Sequence, residues 1–211
     1  MVAEQIEARG ITDPELLRAF RTVERHAFVR SDEAYGDHAL PVGAGQTISQ
    51  PYVVAVMTDL ARPPSGWAGA RVLEVGTGSG YQAALLAEMG AHVISIERLA
   101  ELAEGARGRL EAAGLSGRVE VVVGDGTRGW PSGAPYRSII VTAGGPSVPR
   151  PLREQLEADG GRLVIPVGTR QRQLLTLVER SEEGYRTTEL EAVVFVPLIG
   201  EEGFAAESDG P

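Results

Sequence analysis

The sequence predicts an α/β protein built on a doubly wound, mostly parallel seven-stranded sheet, with a helical extension at its N-terminus. Three observations predict it. From residue 71 onward, short apolar runs alternate with helical stretches at the spacing of βαβ units. The first of these runs ends in a glycine-rich turn that opens a helix. At 211 residues and 43% hydrophobic, the chain is also long enough to bury one large core as a single domain. Three regions are expected within 1–211: N-terminal helices and an active-site loop (1–70), an α/β core (71–198) and a mobile tail (199–211).

Each element has its own signal. Thr12 and Glu15 have capping-box spacing, and Leu16, Leu17, Phe20 and Val23 follow at helical intervals. A helix is therefore expected over 13–25 with Thr12 as its cap. Residues 28–51, rich in glycine, proline and polar side chains, are expected to be mostly irregular, and a loop of that length is usually functional or disordered. A helix should resume near Tyr52 with Val53, Val56, Met57 and Leu60 on one face, and break at Pro63-Pro64. Arg71–Val75 reads as a strand, 80–89 as a helix, His92–Glu97 as a strand, and 98–113 as a helix closed by Gly114. Val119–Val123, 138–142 and 162–167 read as further buried strands. Residues 174–178 and 193–196 complete the series as an antiparallel pair.

Composition narrows the function. There is no cysteine, which removes disulfides, thiolate metal sites and cysteine nucleophiles. There is no lysine, which removes Schiff-base chemistry and a P-loop. The three histidines, His26, His38 and His92, are too scattered for a metal cluster, so no metal is expected. A net charge of -9 argues against nucleic acid as a partner. No apolar run is long enough to span a membrane, and the start MVAEQIEARG lacks the basic and apolar regions of a signal peptide. These features lead to the expectation of a cytoplasmic, soluble protein.

The sharpest motif is Leu73-Glu74-Val75-Gly76-Thr77-Gly78-Ser79-Gly80. Glycines here allow a tight turn and let a ligand approach the backbone without meeting Cβ atoms. The spacing differs from the dinucleotide fingerprint, because Tyr81 stands where its third glycine would be. Acidic residues stand at three successive strands: Glu74 before the loop, Glu97 at the next strand end, and Asp125 after the third. A carboxylate at the position of Glu97 can accept both hydroxyls of a ribose, and Asp125 can accept from an adenine amino group. Adenosine without phosphates beside a positive centre describes S-adenosyl-L-methionine.

Taken with Gly45-Gln46-Thr47-Ile48-Ser49-Gln50-Pro51-Tyr52 and Gly124-Asp125-Gly126, this motif makes nearly the whole chain resemble the protein-L-isoaspartate O-methyltransferases. The glycine loop is shared by many methyltransferases, whereas Thr-Ile-Ser-Gln-Pro is specific to this family. The resemblance implies that Ser49 is the active-site residue. It implies a cofactor site made by Gln46, Thr47, Glu74, Gly76, Thr77, Gly78, Ser79, Gly80, Glu97, Arg98, Asp125 and Gly126. The implied reaction is methyl transfer to the free α-carboxylate of L-isoaspartyl residues in proteins and peptides, by a monomer, with repair through a succinimide. Two positions depart from the family pattern: Arg137, where relatives usually carry aspartate, and Ala143-Gly144-Gly145-Pro146.

Other readings stay open at this level. Ser49 can simply cap the helix that follows. A relative could methylate an ordinary aspartate in a biosynthetic peptide, or the fold could serve binding alone. A nicotinamide oxidoreductase fits least, because of the loop spacing.

Overall fold

The structure, a computed structural model, describes residues 1–206. After two short helical turns (Val2–Ile6 and Glu7–Arg9), α1 spans Pro14–Thr22. Its cap is Asp13, whose Oδ1 accepts from the Leu16 amide at 2.8 Å, and not Thr12 as the capping-box spacing predicts. Pro14 explains the shift. A proline suits the first helical position because its missing N–H is not needed there, so the residue before it becomes the cap. The helix also stops earlier than expected, at Thr22. Val23 is extended but still buried, so the apolar periodicity outlasts the helix.

The stretch read as irregular contains a hairpin. Strands β1 (Leu40–Gly43) and β2 (Gln46–Ile48) pair antiparallel around Ala44 and Gly45, both with positive φ (50° and 68°). That is the two-residue turn whose twist suits a hairpin. An alanine in the left-handed region, in place of the usual Asn or Asp, concealed it from the sequence. Helix α2 follows directly (Pro51–Leu60) and buries Val54, Ala55, Met57 and Thr58. Of the predicted face only Met57 is fully buried, because this helix is apolar on nearly every side and periodicity cannot select a face.

The main sheet comprises β3 (Arg71–Val75), β4 (His92–Glu97), β5 (Val119–Val123), β6 (Ser138–Val141), β7 (Gly161–Gly168), β8 (Gln173–Ser181) and β9 (Gly184–Val193). Its order is β5-β4-β3-β6-β7-β8-β9. The first five strands run parallel, and β8 and β9 are antiparallel additions. Helices α3 (Tyr81–Glu88), α4 (Ala100–Ala112) and α5 (Arg150–Glu154) fill the connections. Successive residues of one strand enter two different cores. Val72, Ile140 and Val164 pack with α1, α2 and α3, while Leu73, Ile139, Val141, Leu163 and Ile165 pack on the other face with Leu152 of α5. Both faces are thus covered, as a parallel sheet requires.

The last strand lies elsewhere than predicted. Residues 193–196 mostly follow β9, whose Thr- and Glu-rich sequence is almost wholly exposed and so lacks the apolar signature of the other strands. Where composition suggests a mobile tail from residue 199, residues 199–206 form a hydrogen-bonded loop. Phe204 N donates to Leu198 O at 2.8 Å, and Glu201 N to Asp125 Oδ2 at 2.8 Å. Residues 207–211 lie outside the described part.

Candidate active site

The chain enters the sheet at β3, runs outward through β4 and β5, and returns to β6 on the other side of β3. The crevice at the carboxyl ends of β3 and β6 is therefore the topological switch point where open α/β sheets bind ligands. Two adjoining cavities open there. Gln46, Thr47, Gly76, Gly78, Glu97, Arg98 and Gly126 line one. Thr47, Ser49, Glu74, Gly76, Thr77, Gly78 and Ser79 line the other. A third cavity, about 340 Å³, lies outward of these; it shares Thr47 with both and Ser49 with the second. Ser49 therefore stands on the wall between an inner and an outer chamber.

The three loop glycines differ in what they do. Gly76 (φ +97°) sits against β6, and a Cβ there would lie 2.4 Å from Thr142 Oγ1, which donates to Gly76 O at 2.6 Å. Gly78 (φ +52°) has nothing within 4 Å of a built Cβ, so its missing side chain leaves open space in the cavity wall. Gly80 (φ +90°) precedes α3 and faces Ala106 and Leu110 of α4. It serves packing and lines none of the three cavities.

The acids also divide. Glu97 is 6% exposed, and its carboxylate accepts from Gly78 N (3.0 Å) and Leu99 N (3.1 Å). The loop and the β4 end are thus tied together around one acceptor group. Arg98 and Leu99 precede α4, which begins at Ala100, two residues later than predicted. Asp125 is engaged within the protein. Its Oδ1 accepts from the Thr127 amide and hydroxyl, and its Oδ2 from Glu201 N. Burial pushes this carboxyl up, but the Glu201 and Thr127 hydrogen bonds prevail and hold it below its ordinary range. Asp125 lines none of the three cavities, whereas its neighbour Gly126 does.

Glu74 is fully buried. Its Oε2 accepts from Ser95 Oγ, which in turn meets Thr77 Oγ1, and its Oε1 has no hydrogen-bond partner among the described residues. Burial, reinforced by the charge of Glu97 and partly offset by the Ser95 bond, pushes its pKa up to about 8. A folded-state pKa above the unfolded one means that the folded protein holds this proton more tightly. The associated stability is complete below about pH 4.5 and is lost as pH rises towards about 8. Glu74→Gln should therefore flatten the decline in unfolding free energy between pH 5 and 8. Urea unfolding across that range would show it, and an unchanged slope would refute it.

The Ser49 hydroxyl has no hydrogen-bond partner among the described residues. It does not cap α2, because Gln50 is the cap residue and Pro51 the first helical one. The Ser49 carbonyl is held instead. Arg25, 0% exposed, donates from Nη2 to Ser49 O at 2.7 Å and from Nε to Ala34 O at 2.8 Å, and its guanidinium lies 5.0 Å from the Tyr81 ring centroid. Among the described residues it has no carboxylate partner. Nothing in the sequence distinguishes Arg25 from the other arginines, since its role depends on a contact 24 positions away. Thr142, Val196, Pro197 and Leu198 also line the inner cavity. The switch-point rule locates Thr142 at the end of β6; the other three arrive through the final loop. The departures from the family pattern are accommodated locally. Arg137 precedes β6, at the end of the sheet away from this crevice, and pairs with Glu157 at 3.2 Å. Gly144 N donates to Val196 O, docking the 196–198 segment on the site.

A doubly wound sheet of this order, with a glycine turn and strand-end acids at its switch point, defines the class I methyltransferase fold. The chain belongs to the protein-L-isoaspartate(D-aspartate) O-methyltransferase (PCMT) family, whose model matches residues 1–203. It is 53% identical to a protein-L-isoaspartate O-methyltransferase of Methanoculleus marisnigri over 98% of this chain and 93% of that one. It is 53% identical to another from Pelobacter propionicus, over 97% and 91%. A solved protein-L-isoaspartate O-methyltransferase superposes with a TM-score of 0.84 at 27% identity, covering 96% of this chain and 67% of that one. A Plasmodium falciparum structure in complex with S-adenosyl-L-homocysteine shares the fold (TM-score 0.80, 22% identity, 94% and 96% covered).

Proposed function

We infer that this protein transfers the methyl group of S-adenosyl-L-methionine to the free α-carboxylate of L-isoaspartyl residues, starting their repair through a succinimide. The observation that carries this reading is Ser49, a family-specific serine with an unpartnered hydroxyl on the wall between an inner and an outer cavity. The decisive experiment is labelled methyl transfer to matched isoaspartyl and aspartyl peptides. Transfer to the aspartyl peptide alone would favour a dedicated modifying enzyme, and transfer to neither a binding role.

The inner site fits the cofactor on its own chemistry. Gly78 leaves open the volume that a Cβ would fill. Glu97 offers acceptor oxygens for a ribose while fixed by two amides, and Glu74 presents a buried oxygen without a partner. When bound, the cofactor supplies an electrophilic methyl on a sulfonium. Gln46, Thr47, Gly76 and Gly126 would complete its walls, with Thr77 and Ser79 holding the loop. Glu97→Ala should weaken S-adenosylmethionine and S-adenosylhomocysteine alike, by about 1.5–3 kcal/mol, or roughly 10- to 150-fold. Calorimetry with both ligands checks it, and unchanged affinities would move the ribose contact elsewhere.

Catalysis here is positioning. The acceptor is a carboxylate, with a reference pKa of roughly 3.5–4, so at neutral pH it needs no base. Ser49 Oγ would donate to one carboxylate oxygen and so orient the acceptor toward the inner chamber, where the cofactor would be held. Arg25 keeps Ser49 in register through its carbonyl. No helix among the described residues is long and apolar enough to cross a membrane. We propose action in the cytoplasm, and a net charge of -9 supports protein and peptide substrates over nucleic acid.

A further inference from the structure

The outer cavity adds a feature that neither the family motifs nor the reaction explains. Its walls are largely apolar, formed by Ala39, Val53, Ala192, Val193 and Phe195, and it carries one charged lining residue, Arg172. Arg172 is exposed and makes no salt bridge among the described residues. The turn that carries it, between β7 and β8, is firmly held. Thr169 N donates to Arg172 O at 2.9 Å, and Arg172 N donates to Thr169 Oγ1 at 3.2 Å. The next residue, Gln173, is 1% exposed and bridges the two rims, accepting from Phe195 N at 2.8 Å and donating to Thr169 O. Of the two arginines on this braced turn, Arg170 is turned to Ala205 O and the Phe204 ring, and Arg172 faces the chamber that shares Ser49, in a protein whose net charge is -9.

We propose that Arg172 forms an anion subsite that selects isoaspartyl peptides carrying a second carboxylate close to the damaged residue. The proposal rests on the methyltransferase reading above, because the outer cavity is where a peptide bound at Ser49 would extend. The second carboxylate is either an acidic side chain or the chain's own C-terminal carboxylate; both offer a guanidinium the same bidentate acceptor. The site is open to solvent, so the contribution is that of an exposed ion pair, a two- to fivefold effect on KM at moderate salt. It should shrink at 0.5 M salt.

The test uses isoaspartyl peptides identical except for Glu, Gln or Lys at one flanking position, scanned over two positions on each side. A second set has free or amidated C-termini. For each enzyme the KM of the Gln peptide serves as reference. At one or more positions the native enzyme should favour Glu over Gln by about two- to fivefold and disfavour Lys. Arg172→Gln should bring the ratio to one, and Arg172→Glu should invert it. The two peptide sets separate side-chain from terminal carboxylates. A Glu preference that survives in Arg172→Gln, or equal KM values for all flanks in the native enzyme, would overturn the subsite. So would a fall in kcat of Arg172→Gln on every peptide alike, which would place Arg172 on the acceptor carboxylate itself. Failure of the methyltransferase reading looks different: no isoaspartyl peptide is methylated, whatever its flanks.

Discussion

Ser49→Ala should lower turnover on an isoaspartyl peptide by up to about 100-fold, the cost of removing one positioned donor, while S-adenosylhomocysteine affinity stays within a few-fold. The separation follows from what holds the residue. Its backbone is fixed by Arg25 through the carbonyl, and its hydroxyl neither caps α2 nor bonds to the protein among the described residues. Deleting the oxygen therefore leaves loop and helix in place and removes only what the acceptor would touch. Ser49→Thr keeps a hydroxyl and should recover part of the rate. Steady-state kinetics beside calorimetry distinguishes the outcomes. Full activity in Ser49→Ala would end the orienting role, and a large loss of cofactor affinity would place the hydroxyl in the inner site.

The second large effect contrasts one substitution at two positions of a single turn. Gly76→Ala should destabilise the fold by about 2–4 kcal/mol. It adds about 1–2 kcal/mol of left-handed strain to an overlap with Thr142 Oγ1 at 2.4 Å, and relief would break that hydroxyl's bond to Gly76 O. Gly78→Ala carries similar backbone strain but meets no protein atom within 4 Å. It should fold, yet bind S-adenosylmethionine roughly 5- to 150-fold more weakly, because its methyl occupies ligand space at a cost of about 1–3 kcal/mol. Thermal unfolding and calorimetry of both variants provide the check. Native affinity in Gly78→Ala would show that the cofactor does not approach the loop there.

Much of this architecture is legible in the sequence, for identifiable reasons. Strands β3, β4 and β5 fall at their predicted bounds because each is a short apolar run closed by charged or glycine residues; β3 and β4 are buried on both faces, and the edge strand β5 buries Val119 and Val121. Strand β9 is exposed along nearly its whole length and is held by pairing to β8, so hydrophobicity gives no sign of it. The hairpin escaped because Ala44 adopts a conformation that side chains usually avoid. At the site, motif residues on one loop or strand end were readable: Ser49, Glu97 and the glycine turn. Arg25, Arg172 and the 196–199 wall come to the crevice through tertiary contacts that leave no local periodicity.

The hydrogen bonds around Asp125 bear on how the protein ages. Aspartates isomerise when the nitrogen of the next residue attacks the side-chain carbon, most readily before glycine, and this sequence has three such pairs and no asparagine. At Asp125-Gly126 the carboxyl is kept ionised, which makes it a poor electrophile, and three donors fix it in place. At Asp159-Gly160 the would-be attacking nitrogen donates to Arg180 O at 3.0 Å. The third pair, Asp209-Gly210, lies outside the described residues. The bonds that seat the final loop should thus also slow the clock beside the inner cavity, sparing a member of a repair family there from the lesion such enzymes act on.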